Sequence, residues 1–398
     1  MRLPVWALGF ANLPLGLTGG LALLTMPQWL AARNVPEPDI AQLTTLALIA
    51  SVAVFLLGPL FDVWFRRRTY AVACCVTAAL GAGVAVAAGS NLTLLAIGLV
   101  LATGGGSANT IAVGGWLGGM IDKAHDATLG AWMVVANITG FGVLAMIGIG
   151  VIRGMPAPLA AALLAAPVLA PLLIYAVTPC PPPDGRLARE SFGQFFGDLS
   201  VLVRRPVVAQ TLMLFAVPAA SFALTNTLGG LGRDYHAPES FVAVMGGAAA
   251  IAAGLVGSLM VPPLARRAPV RRLYLLVGIV GALFTLSLIV LPHTPALFAA
   301  AMIGQNVAQS AALSMVTVIA LQSLGENNPF AATQFGLLNS ASSLPIAYMQ
   351  YLDGQAYGAG GLPLMYLADG GLGLGACLTM ALLLKFWSRR SASEPSTS

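Results

Sequence analysis

The chain has 398 residues, of which 58% are hydrophobic and only 8% are Asp, Glu, Lys or Arg, with a formal net charge of +5. A soluble globular domain carries about 25% charged residues, so this composition excludes an ordinary water-facing surface. It predicts an integral membrane protein, and the small basic excess points to loops at a membrane face before it points to nucleic acid.

Apolar runs of about 20 residues read as membrane spans. The first six centre on 5–29, 41–61, 69–89, 93–120, 128–152 and 156–177. The stretch from Leu3 to about Leu30 is too long for the apolar part of a cleaved signal and lacks a small-residue cleavage site. A polar break follows, Thr178 to Arg205, TPCPPPDGRLARESFGQFFGDLSVLVRR. Its prolines stop the sixth helix. Phe192, Phe195, Phe196, Leu199, Leu202 and Val203 recur at helical spacing, which predicts an amphipathic surface helix over 187–203.

The spans resume at 207–230, 241–262, 272–291, 295–323, 332–352 and 363–387. The expected fold is therefore an all-α membrane protein with twelve transmembrane helices in two six-helix, pseudo-symmetric halves. Its parts would be an N-terminal bundle (1–177), a cytoplasmic linker (178–205), a C-terminal bundle (206–388) and a disordered tail (389–398).

Basic residues support that count. With both termini cytoplasmic, sixteen Lys and Arg fall on the inner side, and only Arg33, Arg153 and Arg233 fall outside. The positive-inside rule asks for such a split, and dropping one span would scramble it. The halves also echo each other. GPLFDVWFRRRTY follows span two and VPPLARRAPVRRLY follows span eight, each with Pro-Leu, then paired arginines, then a Tyr entering the next helix. Such duplication implies a parallel-repeat transporter with its binding site between the halves.

Gly58, Asp62, Arg66 and Arg67 form a GxxxD-plus-arginine pattern between spans two and three. This resembles the signature loop of the major facilitator superfamily, although Val63 stands where a basic residue is usual and Phe65 where a glycine is usual. More narrowly, LGFANLPLGLTGG, GPLFD and NPFAATQFGLLNSASSLP resemble the AmpG-like permeases, the branch that includes muropeptide and acetyl-coenzyme A carriers. The resemblance implies the major facilitator fold, alternating access, a bacterial inner membrane, a small-molecule solute and protons as coupling ion. One departure weakens the muropeptide assignment and leaves a uniporter open. Relatives tend to carry aspartates before a span-four tryptophan, whereas GSANTIAVGGW places Thr110 and Gly114 before Trp116.

Carboxylates inside a bilayer cost several kcal/mol and are candidates for function by default. Asp369 in span twelve and Asp353 in span eleven are candidate proton carriers; the alternative is that both cap helix ends at an aqueous interface. Gln305 and Gln309 lie one turn apart with Asn306 beside them, and Asn109 and Trp116 share a face seven residues apart. With Asn12, Thr110, Asn137, Asn226, Gln334 and Asn339 they are candidates to line a solute cavity, and interhelical hydrogen bonding is an equal reading for each amide. Amides, hydroxyls and an indole suit a neutral or zwitterionic solute, such as a sugar or peptide derivative.

Gly58, Asp62, Arg66, Arg67 and Arg68 are the candidate conformational latch. The arginines would set topology and meet anionic lipid. Asp62 would pair with an arginine or with helix N-terminal amides, closing the cytoplasmic side and favouring an outward-open state. The glycine-rich GGGS at 104–107 lacks a phosphate-loop ending and reads as helix packing. His125, His236 and His293 lack metal-ligand spacing, and the four cysteines form no disulfide framework. No cofactor and no nucleic-acid partner are expected, the lipid bilayer is the surrounding partner, and a monomer is expected. A membrane enzyme would need clustered acids or histidines, and a sensor would need a soluble domain; the sequence offers neither. The solute readings are import of a cell-wall sugar–peptide, or of a siderophore or other small natural product.

Overall fold

A chain this apolar must satisfy its backbone internally, and a helix does so without outside partners. The computed structural model describes residues 3–89, 91–180, 197, 204–220, 225, 230–325 and 328–393. All but one residue of the expected amphipathic helix (187–203) lie outside the described residues, as does Asn226. The helices in chain order are α1 (Val5–Ala31), α2 (Pro38–Phe61), α3 (Arg67–Ala87), α4 (Leu92–Gly118), α5 (Lys123–Gly154) and α6 (Ala157–Val177). They continue with α7 (Pro206–Phe215), α8 (Ser240–Ala265), α9 (Val270–Ser287) and α10 (Pro295–Ser323). The last are α11 (Ala331–Ala341) and α12 (Leu344–Ser393).

Among the described residues, ten helical runs are long and apolar enough to cross a membrane. Two features separate that number from twelve. The seventh run is described as helix only at Pro206–Phe215 and Pro218–Ala220. The last two spans form one run, Ala331–Phe386, although the backbone leaves the helical region at Gly360 and Gly361. Gly361 has φ +66°, a left-handed conformation that glycine adopts without a Cβ penalty. The α12 helix continues to Ser393, into the stretch expected to be a tail.

Large apolar side chains face outward on several helices, including Leu80 on α3, Leu173 on α6 and Leu382 on α12. Lipid-facing surface explains them where water would not.

The chain forms two compact units, Met1–Ala209 with Ala320–Ser340, and Gln210–Ile319 with Ala341–Ser398. In the first unit α3 and α4 approach closely because the contact positions are small. A Cβ on Gly105 would lie 2.7 Å from the Ala78 backbone nitrogen. In lipid, such close packing replaces the hydrophobic effect as the force between helices. Hydroxyls add cross-helix bonds: Thr25 Oγ1 donates to the Leu144 carbonyl at 2.9 Å, and Thr103 Oγ1 to Ala47 at 2.8 Å. The interior between them is filled by Leu17, Leu21, Trp29, Leu95, Leu99 and Leu144.

In the second unit, Tyr235, Phe298, Met302 and Tyr366 form a core, and the Tyr235 and Tyr366 hydroxyls hydrogen-bond each other. The two arms of α12 fold back on one another at Gly360–Gly361. Tyr348 on the first arm donates to the Ala216 carbonyl at 2.8 Å, while Gly373 on the second arm borders Pro218 in a shared cavity. Each stands twelve residues from the break, so the arms run side by side.

Candidate functional site

The loop after α2 places Asp62 beneath the start of α11. Gly58 opens the last turn of α2, and Asp62 closes it with only 4% of its surface exposed. Among the described residues its carboxylate accepts four hydrogen bonds from two directions. Ala332 N–H donates to Oδ1 at 2.9 Å, Thr333 N–H to Oδ2 at 2.7 Å, and Thr333 Oγ1 to Oδ2 at 2.8 Å. Arg67 Nη2 completes the set at 2.8 Å from Oδ1. Asp62 thus caps a helix distant in sequence, where the unsatisfied N–H groups and the dipole favour a negative charge. Burial raises the Asp62 carboxyl above the usual range, and Arg67 and the α11 amides offset only part of that rise.

Arg67 ties in α4 as well, donating to the Gly115 carbonyl at 2.7 Å and to Asn328 at 3.4 Å. Two glycines make room for this assembly. A Cβ on Gly58 would lie 2.8 Å from Thr333 Cα, and one on Gly115 would lie 2.6 Å from Ala332 Cα. Nearby, Lys123 Nζ donates to the Leu321 carbonyl at 3.1 Å. Of the three arginines only Arg67 joins the cluster; neither Arg66 nor Arg68 makes an ion pair among the described residues. The departures in the loop are absorbed locally. Val63 is buried, its carbonyl held by the Tyr70 hydroxyl at 2.8 Å. Trp64, not Phe65, takes the left-handed conformation (φ +67°), and the two rings stack at 5.3 Å.

Most of the predicted cavity residues of this unit form a closed network between helices. Asn12 Nδ2 donates to the Met133 carbonyl at 3.0 Å, and its Oδ1 accepts from Thr110 at 2.6 Å. Asn109 Nδ2 donates to Ala11 at 2.9 Å, and its Oδ1 accepts from Tyr175 at 2.6 Å. Trp116 Nε1 donates to the Pro179 carbonyl at 3.0 Å, with its ring 5.8 Å from that of Tyr175. Asn137 is half-buried on α5, where its carbonyl abuts Gly16. Gln334 belongs with the latch, donating to Ser323 at 2.6 Å and accepting from Asn328 at 2.8 Å. Asn339 is half-buried further along α11.

The second unit brings Gln305, Gln309 and Asp369 together with Thr285 around a small cavity of about 20 Å³. Gln305 Nε2 donates to the Thr285 hydroxyl, and Asn306 turns back onto its own helix, donating to Met302 at 2.7 Å. That volume holds about one water. Asp369 is 6% exposed at its edge, and Asp353 is fully buried with no hydrogen-bond donor to either carboxylate oxygen. On an unbroken helix these residues would lie about 24 Å apart. The reversal at Gly360–Gly361 instead sets them seven and eight residues from the break on adjacent arms.

Several contributors have no signature in the sequence. Thr333 and Thr285 are lone hydroxyls, and Tyr175 is one aromatic in an apolar run. Asp126, fully buried 3.8 Å from Lys123, was legible only as an acid three residues after a lysine. Among the described residues no cluster of His, Cys, Asp and Glu could hold a metal ion.

The sequence matches the Major Facilitator Superfamily over residues 8–350. The chain belongs to the major facilitator superfamily. The superfamily assignment makes it a multi-pass membrane protein and a transporter rather than an enzyme. Solved transporter structures share its fold. The E. coli fucose:proton symporter matches with a TM-score of 0.71 at 14% identity, covering 95% of this chain and 98% of that one. A proton:xylose symporter bound to 6-bromo-6-deoxy-D-glucose matches at 0.70 and 12% identity, covering 95% of each chain. A bacterial homologue of the iron transporter ferroportin matches at 0.66 and 15% identity, covering 97% and 100%. At such identities the likeness carries the fold alone. Among curated proteins, none matches this sequence.

Proposed function

We propose that this superfamily member is a secondary active transporter working by alternating access, with twelve spans and cytoplasmic termini, in a bacterial inner membrane. Its halves would be residues 1–177 and 206–388. The AmpG-like motifs of spans one, two and eleven support import of an amphiphilic or sugar–peptide solute such as a cell-wall muropeptide. A siderophore or another small natural product is the alternative cargo.

The observation that carries proton coupling is the carboxyl pair Asp353–Asp369, buried at matching depth on adjacent arms of α12. A charged carboxylate within a span is costly, which makes each member of the pair a candidate to carry a proton. The latch of Gly58, Asp62 and Arg67 is the proposed conformational lock, with Arg66 and Arg68 serving topology. Asn12, Asn109, Thr110 and Trp116 support the solute path by fixing helices, since their polar atoms are occupied by one another, by Tyr175 and by backbone. Thr110 and Gly114, standing where relatives carry span-four acids, favour the second reading, a facilitative uniporter.

Purified protein in proteoliposomes containing a pH-sensitive dye tests both. Muropeptide-dependent proton movement, abolished by an uncoupler, is the expected result. Uptake without a pH change establishes the uniporter, and uptake of siderophore but not muropeptide reassigns the cargo.

A further inference from the structure

The repeat of the basic loop is chemically incomplete in the second unit. Aligning the tyrosines of the two loops puts Arg271, three residues before Tyr274, in the place of Arg67, three before Tyr70. The place of Asp62, five residues before Arg67, is then taken by Arg266. Arg67 has its carboxylate; Arg271 has none among the described residues. Its guanidinium donates instead to two neutral groups, Thr211 Oγ1 at 3.0 Å and Gln210 Oε1 at 3.5 Å. Those bonds fix the position of the charge without neutralising it.

Beside it lies a cleft of about 830 Å³ between α9 and the second arm of α12. Arg271, Arg272 and Lys385 supply charge to its wall, and Leu275, Leu276 and Leu384 line the remainder. Along α9 the order is charge, then apolar: Arg271, Leu275 and Ile279 follow at successive turns over about 12 Å. Among the described residues no acid lines the cleft. The segments that build it cannot supply one, because Asp and Glu are absent from 204–233, 240–325 and 370–393.

We propose that this cleft is a binding site for an anionic phospholipid. Its headgroup phosphate is held by Arg271, Arg272 and Lys385, and its acyl chains lie along Leu275, Leu276, Ile279 and Leu384. The cleft joins a basic end to an apolar wall, and the basic groups at one end ask for a phosphate rather than a neutral headgroup. Arg presents a planar fork to phosphate oxygens, and pinning by Gln210 and Thr211 keeps that fork in place before the lipid arrives. This site is independent of the transported solute.

Delipidated protein in detergent, titrated with phosphatidylglycerol, cardiolipin or phosphatidylcholine and followed by native mass spectrometry, tests the site. Each basic group is worth about 1 kcal/mol toward an anionic surface, so Arg272→Gln with Lys385→Gln weakens anionic lipid retention by about thirtyfold. Arg153→Gln, exposed on α5 and away from the cleft, leaves it unchanged. Because Arg272 and Lys385 are exposed, these variants fold; Leu276→Gln, on the tail wall, provides a second variant that weakens both anionic lipids. Equal retention of phosphatidylcholine, or wild-type retention in the Arg272/Lys385 variant, overturns the proposal. Displacement of the lipid by millimolar inorganic phosphate also overturns it, by identifying a soluble-anion site.

Discussion

Asp62 and Thr333 are 271 residues apart in the chain and meet at 2.7 Å, carboxylate to backbone N–H. Asp62 does for α11 what an N-cap residue does for its own helix, and Arg67 balances the charge that the dipole invites. A cap supplied from elsewhere in the sequence can be withdrawn without unwinding either helix, which suits a conformational lock.

Asp62→Asn keeps one acceptor oxygen for α11 but loses the ion pair and one of its two charged acceptors. A hydrogen bond to a charged group is worth about 1.5–3 kcal/mol, so the latch weakens by roughly that amount. Slower uptake at normal membrane insertion is expected, and wild-type uptake in this variant refutes the lock.

Thr333→Val removes only the hydroxyl donor and retains the N–H. A milder loss of about 1 kcal/mol is expected, and Asp62→Asn should add less on top of it than it costs alone, because both changes act on one cluster. Additive effects in a double-mutant cycle on uptake rate rule out that shared cluster.

Gly115→Ala forces its new Cβ against Ala332 Cα, where backbone rather than a flexible side chain must move. The start of α11 is displaced from Asp62. With a cysteine introduced at the buried position Ala331, maleimide labelling should rise severalfold in the Gly115→Ala background; unchanged labelling means that the close approach does not hold the latch shut.

Asn109→Ala deletes the acceptor of the Tyr175 hydroxyl inside a buried network. Leaving buried polar groups unmatched costs about 1–3 kcal/mol, seen as a lower thermal midpoint in detergent. Solute affinity should stay within about twofold of wild type, since a lost hydrogen bond to solute would cost about 1 kcal/mol or more of binding. A large affinity loss at unchanged stability would return Asn109 to the solute path.

Asp353→Asn and Asp369→Asn should each abolish solute-driven proton movement in proteoliposomes, and the double variant should be no worse than either single one. Two sites that share a proton act as a unit. If the losses multiply, the carboxyls work separately.

The membrane class and the position of the signature loop were decided by the sequence itself. Both are local or compositional properties: an apolar run long enough to span lipid must become a helix wherever it lies, and GPLFD with its arginines is contiguous. The partner of Asp62 was open between an arginine and helix amides, and the tertiary structure supplies both. The tertiary structure also selected Arg67 over Arg66 and Arg68, set Asp353 and Asp369 on adjacent arms of α12, and among the described residues gave Arg271 no carboxylate. It turned the scattered amides of span one and span four into a network closed by Tyr175. Each of these depends on which residues a fold brings within about 3 Å, and no spacing rule along one chain carries that information.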